Sequence, residues 1–356
     1  MKDRNRKRGT RLSLRHRRAD GLALGEEPVP ELEPHEARVR VLAVGLCGTD
    51  AHILAGQFPS EDGIVLGHEV CGVVTELGSE ERSPLSVGDL VALEPHRYCA
   101  ECSFCRIGKE HLCVEKRGYG VRLDGGMTTD MVVPRRVLYR VPDGIDPLIG
   151  AMAEPLACCL HAMDRLSPVS GESILVAGCG PAGAMLVALA RSHGLAPIVV
   201  LEPSEERRRL ALDMGADAAF HPDELHGEAV AGLADGEGFR YVVDAVGRGS
   251  IARDLLGVAK KGGTLLIFGV ADREDRFALS PRDVFERELT IVGSVINPYT
   301  HGRSVALLER LPLERIPARV FPLEAYEQAF AAQREGREKI YISPHPEALA
   351  ESRSRP

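Results

Sequence analysis

Residues 173–202 read SILVAGCGPAGAMLVALARSHGLAPIVVLE, and this stretch decides the fold of the second half of the chain. Ser173–Ala177 has the length and apolar character of a buried strand, Pro181–His193 carries small and apolar residues over a helical length, and Pro197–Leu201 is a second strand-like run. Together they predict a βαβ unit. Gly178, Gly180 and Gly183 fall between the first strand and the helix with the spacing G-x-G-x-x-G, Pro181 and Ala182 lying inside the pattern. Glycines there permit a tight turn and a close approach of the backbone to a pyrophosphate, whose charge rests on the helix N-terminus. The spacing alone also fits a ligand-free turn. Glu202, at the end of the second strand, supplies an acceptor for ribose hydroxyls and repels a 2′-phosphate, which favours NAD over NADP. Arg207 and Arg208 follow it and soften that preference. The expected cofactor contacts are Gly178, Gly180, Pro181, Ala182, Gly183, Glu202 and Arg207.

Working outward, Tyr241–Ala245, Thr264–Val270 and Leu289–Val295 read as further strands, with helical segments such as residues 204–215 between them. Strand and helix in alternation predict a doubly wound parallel sheet over residues 155–297 of an α/β chain. Upstream the texture differs. Residues 38–46 (RVRVLAVGL), Val70–Leu77, Asp89–Leu93 and Met131–Val133 are short strands jointed by Gly, Pro, Ser and Asp, so residues 19–154 predict a mainly β domain. Residues 298–356, with helices near 302–310 and 323–335 and the final strand KIYIS, are expected to return to it.

The length of 356 residues suits two domains, and the net charge of -8 argues against nucleic acid or an anionic membrane as partner. No apolar run is long enough to span a bilayer, so a soluble protein is expected. The Arg-rich start, residues 1–18, lacks the apolar core of a secretory signal and reads as a solvated, disordered tail, with a nucleic-acid-binding arm as the alternative. Nine cysteines without a secretory signal point to a reducing cytoplasm.

Four of those cysteines, Cys99, Cys102, Cys105 and Cys113, are spaced C-x2-C-x2-C-x7-C in a loop. Thiolates at that spacing can close tetrahedrally on a structural zinc; Fe–S ligation is the competing metal reading. A second constellation is scattered. Cys47 stands in GLCGTDAH, His68 and Glu69 in VLGHEV, and Glu154 in MAEPLACC. Each residue type is a good zinc ligand, and three protein ligands leave a position open for catalysis. Taken singly, Cys47 also fits a buried small hydrophobe, His68 a core or surface group, and Glu154 a helix cap.

In this order and approximate spacing, GLCGTDAH, GHEVCGVV, the four-cysteine loop, GCGPAG and the acid after the next strand resemble the zinc-dependent medium-chain alcohol dehydrogenases, within them the sorbitol (polyol) dehydrogenase branch. The likeness covers residues 25–344. It implies a GroES-like catalytic domain (19–154 and 298–356) carrying the structural zinc lobe at about 96–115, and a Rossmann NAD-binding domain (155–297). By the same likeness Cys47, His68 and Glu69 match the catalytic zinc ligands, and Glu154 a carboxylate that binds the metal directly or through its water. Thr49 matches the hydroxyl that bonds the substrate oxygen, Asp50 a group behind the histidine ligand, and His52 the outer end of a proton relay. Glu154-Pro155-Leu156 points toward polyols, cyclitols or sugars. Ile296 stands about where polyol dehydrogenases carry an arginine, which is a departure.

The implied activity is reversible oxidation of a secondary alcohol to a ketone, with two zinc ions per chain and NAD. A ketone reductase, an amino-cyclitol or threonine-type dehydrogenase, and a non-catalytic NAD(H)-binding zinc protein are the alternatives. The expected partners are a small hydroxylated substrate and further copies of the chain in a dimer or tetramer, with LTIVGSVI as a pairing edge strand.

Overall fold

The computed structural model describes residues 9–79, 83–234, 236–336 and 338–353. The chain divides into two compact units, one of Met1–Glu154, His301–Glu309 and Pro317–Pro356, the other of Pro155–Thr300 and Arg310–Ile316. The C-terminal return is thus interrupted. Leu313 is fully buried and Arg315 donates to the carbonyl of Asp213, which keeps residues 310–316 with the second unit.

The first unit is built on a seven-stranded sheet. Glu36–Gly45 runs through its middle, antiparallel to Glu69–Leu77, to Asp130–Pro134 and, at its end, to Lys339–Ser343. Val39, Val41 and Val44 bury their side chains with Val70, Val74, Met131 and Ile340 in one apolar core. This register places Gly45 opposite Glu69 and next to Tyr341, so the ends of three strands meet where the Cys47 turn begins.

The N-terminal stretch corrects an expectation. Residues 1–8 lie outside those described, but Thr10–Arg17 forms a strand, paired with Gly21–Pro28 and Ile64–Val65. Residues 10–17 are therefore not a disordered tail. The basic residues that suggested one are neutralised within the fold. Arg11 and Arg15 both donate to Glu27, at 2.9 and 2.7 Å, and both reach Asp124, at 3.1 and 2.8 Å. Between them Ser13 and Leu14 are buried. Asp124 also accepts from the Val65 amide at 3.2 Å, which fixes the approach to Gly67 and His68. Gly67 itself has φ +91°, and a Cβ there would lie 2.6 Å from Val44 Cγ1, so only glycine fits that turn.

The second unit is a six-stranded parallel sheet in the order Ala218–Phe220, Ile198–Leu201, Ile174–Ala177, Phe239–Asp244, Ala259–Ile267, Thr290–Gly293. Its first strand in sequence, Ile174–Ala177, lies third, so the strand order reverses there; this is the doubly wound Rossmann arrangement with its ligand crevice at the switch point. The inner strands are apolar along their whole length because helices cover both faces.

Burial alone would raise the Glu27 carboxyl, but the Arg15 and Arg11 guanidinium groups and Ser13 outweigh it and pull it from its ordinary 4.5 to about 2. A depressed folded value stabilises the fold above the unfolded value, and that stability is lost as pH falls from about 4.5 through about 2. Chemical denaturation of the parent and Glu27→Gln should therefore differ by about 2–3 kcal/mol at neutral pH and converge near pH 2. Equal stability at both ends would contradict the network's role.

Candidate catalytic metal centre and cofactor loop

Cys47 ends the central strand's run and opens the helix Gly48–Leu54 as its N-cap. Asp50, fully buried one turn on, accepts from the Cys47 amide at 2.9 Å, so the thiol is held at a fixed angle to the helix. His68 and Glu69 arrive from the adjacent strand through the Gly67 turn. The ligand atoms of Cys47, His68 and Glu69 all lie within 4.8 Å of one another. One soft thiol, one imidazole and one carboxylate so arranged fit a zinc ion with a position left open.

The electrostatics are those of charges kept in a dry place. Burial pulls the His68 imidazole down, but Asp50 and Cys47 outweigh it and leave the ring well above its ordinary value. Burial raises the Asp50 carboxyl, opposed by His68, whose Nδ1 stands 3.8 Å from it. Among the described residues, neither His68 Nδ1 nor Asp50 Oδ1 has a hydrogen-bond partner. A cation at this centre would draw the imidazole, thiolate and carboxylates into compensated positions.

Lys339, from the final strand KIYIS, was not singled out in the sequence. Its ammonium pairs with Glu69 Oε2 and donates to the Leu46 carbonyl at 3.1 Å. A lysine opening an otherwise apolar, buried strand is the signal that could have found it. Gln333 likewise donates to the Cys47 carbonyl at 2.7 Å. The C-terminal segment thus anchors two consecutive carbonyls at the thiol.

Glu154 lies in the first turn of the helix Ala153–Leu166 and outside the three-residue group. It is near enough that His68 lowers and Glu69 raises its carboxyl, burial raising it most. Thr49 stands 3.8 Å from the Cys47 sulfur. His52, three residues on and so on the same helix face, bonds through Nδ1 to Gln57 Oε1 at 2.8 Å.

The four-cysteine loop is a second centre. Its ligand atoms also lie within 4.8 Å of one another, and sulfur separations are 3.5 Å for Cys99 and Cys113, 3.6 Å for Cys102 and Cys105, and 3.9 Å for Cys99 and Cys105. Backbone amides point at the sulfurs, that of Cys102 reaching Cys99 at 3.3 Å. The amides of Cys105 and Val114 draw the Cys102 thiol down to about 6. All nine cysteines are free thiols, so this cluster is not a disulfide framework.

In the second unit Gly178 has φ +94°, and Gly180 caps the helix Pro181–Ser192 with Pro181 in its first turn. A Cβ on Gly183 would strike the Gly178 carbonyl, so helix and strand close on each other only with glycine there. Ala182 carries a carbonyl that accepts from the Cys159 thiol. Glu202 is buried, accepting from the amides of Cys179 at 2.8 Å and Ser204 at 3.0 Å. Each carboxylate oxygen keeps a lone pair for a ribose hydroxyl. Arg207 comes within 3.9 Å of Glu202, and Arg208 ties down the carbonyls of Glu202 and Pro203, both at 2.8 Å. Ile296 adopts φ +49°, a left-handed conformation rare for a β-branched residue.

Residues 33–143 match the family model described as alcohol dehydrogenase GroES-like domain, and residues 181–310 that described as zinc-binding dehydrogenase. The L-threonine 3-dehydrogenase of Bacillus subtilis is 33% identical over 89% of this chain and 93% of its own length. The sorbitol dehydrogenase of Bombyx mori is 30% identical over 89% and 94%. Among solved structures, a Sinorhizobium meliloti 1021 protein bound to NADP superposes with a TM-score of 0.88 at 32% identity, covering 94% of this chain and 100% of that one. The alcohol dehydrogenase TADH from Thermus sp. ATN1 gives 0.83 at 25% identity, covering 93% and 99%. With these likenesses over both units, the chain belongs to the zinc-dependent medium-chain alcohol dehydrogenases, oxidoreductases that join a GroES-like domain to a Rossmann domain.

Proposed function

We propose that the protein oxidises a secondary alcohol of a polyol, cyclitol or sugar-like substrate to a ketone, reversibly, with NAD as hydride acceptor. The observation that carries this reading is the convergence of Cys47, His68 and Glu69 beside Glu154. Zinc, when bound by these residues, supplies Lewis acidity, and the dinucleotide supplies the hydride acceptor.

The chain's own groups handle the proton and the geometry. Thr49 offers its hydroxyl to the substrate oxygen and relays the proton along its helix to His52, which exchanges it with solvent. Asp50 orients His68 from behind. Glu154 serves as a carboxylate for a water or substrate group at the metal position. Lys339 pairs with the buried Glu69 carboxylate and holds it in place. Cys99, Cys102, Cys105 and Cys113 hold a structural zinc that ties down their loop.

For the cofactor, the buried Glu202 carboxylate favours ribose hydroxyls over a 2′-phosphate, and its use as a backbone acceptor fixes its place. The proposed assembly is a dimer or tetramer through the sheet edge Thr290–Gly293, where Ile291 and the nearby Val295 are exposed. Free thiols throughout suit a reducing cytoplasm. Among the described residues, no helix is long and apolar enough to cross a membrane.

Initial rates of NADH formation across polyols, cyclitols, sugars and simple primary alcohols test the substrate class. Oxidation of a polyhydroxylated member, at least about tenfold better with NAD than NADP, is expected; turnover of primary alcohols alone would overturn the reading. In Lys339→Met the Glu69 carboxylate loses its cation, and urea denaturation should register a loss of about 3 kcal/mol, with Lys339→Arg retaining most of the stability. A loss below about 0.5 kcal/mol in Lys339→Met would mean that the pair carries no such burden.

A further inference from the structure

Beside the metal centre lies a second polar cluster that the mechanism above does not use. Glu94 follows the strand Leu90–Leu93, His96 opens the short strand His96–Arg97, and His301 begins the helix His301–Leu307. The His96 ring bonds Glu94 Oε1 at 2.9 Å, and His301 Nδ1 faces Glu94 Oε2 at 3.6 Å, beyond hydrogen-bond length. The Tyr139 ring backs His301 with centroids 4.8 Å apart.

Two observations point to a ligand. First, His301 is only 1% exposed, yet among the described residues neither of its ring nitrogens has a hydrogen-bond partner. Leaving such a group unsatisfied costs about 1–3 kcal/mol, so a partner from outside the chain is expected to meet it. Second, the cluster adjoins the catalytic residues. Ser304 of the same helix donates to the Ala153 carbonyl at 2.7 Å, immediately before Glu154.

We propose that Glu94, His96 and His301 form a recognition subsite for a second hydroxyl of the substrate, so that the enzyme selects polyhydroxylated alcohols over those with one hydroxyl. The inference rests on the dehydrogenase reading above. A hydroxyl is the matching group because it accepts from an imidazole N–H while donating to a ring nitrogen or a carboxyl oxygen. An ammonium only donates and would leave the imidazole N–H unmet. Charge agrees: burial disfavours the charged form of both the Glu94 carboxyl and the His301 ring, which suits a neutral hydroxyl. Glu94 and His96 each keep 12% of the side chain exposed, and the Tyr139 ring packs on His301.

The test compares kcat/KM for the better of 1,2- and 1,3-cyclohexanediol with that for cyclohexanol, in the parent, His301→Leu, His301→Asn and Glu94→Gln. A site built to bond a hydroxyl rejects the analogue that lacks it strongly, so the parent should prefer the diol by at least about 100-fold. His301→Leu should bring the ratio to within about fivefold, with His301→Asn between. Should His301→Leu not fold, His301→Asn and Glu94→Gln carry the same readout. A parent without preference, or variants that keep the parent's ratio, would overturn the subsite while leaving the dehydrogenase reading intact. A parent that oxidises none of the three alcohols would overturn the subsite, and the wider panel of polyols, cyclitols and sugars then decides the dehydrogenase reading separately.

Discussion

The burial of the Glu69 carboxylate governs the first unit. A buried charge is tolerated only when it is paired and bonded, and here the pairing comes from Lys339, 270 residues away in sequence. That requirement brings the last strand against the central one and aligns Gly45 with Glu69 and Tyr341. It also explains Gly45, where a Cβ would collide with the Glu69 carboxylate. The thiol of Cys47 is then held by what surrounds it, with Asp50 on its amide and Gln333 on its carbonyl.

The approach to His68 is constrained in the same manner from the other side. Arg11, Arg15, Glu27 and Asp124 form a partly buried network of alternating charge, and Asp124 passes its position to the Val65 amide. Two residues later Gly67 turns the chain. The N-terminal hairpin is therefore part of the scaffold that presents His68 rather than an appendage.

Most of this architecture was legible in the sequence. The run from Ser173 to Glu202 reads as strand, glycine turn, helix and strand because each element keeps its own period and the glycines fall at the joint, and the sheet order agrees. The four-cysteine loop was legible because its ligands are close in sequence. The pairing of Lys339 with Glu69 was not, since a single lysine in a short strand carries no partner with it. The strand Thr10–Arg17 was misread because its arginines suggested solvent, whereas their acidic partners Glu27 and Asp124 become neighbours only in the fold. Glu94 and His301 escaped notice for the same reason: a lone acid and a lone histidine acquire meaning only when they face each other.

The proposed function requires Cys47, His68 and Glu69 to hold a zinc for alcohol oxidation, separate from the zinc of the four-cysteine loop. Metal content and oxidation rate measured together on the parent and Cys47→Ser test it most directly. Two ligand groups predict two zinc ions per chain in the parent, and one zinc with oxidation lost in the variant. A variant that keeps both metal ions and the parent's rate would contradict the claim.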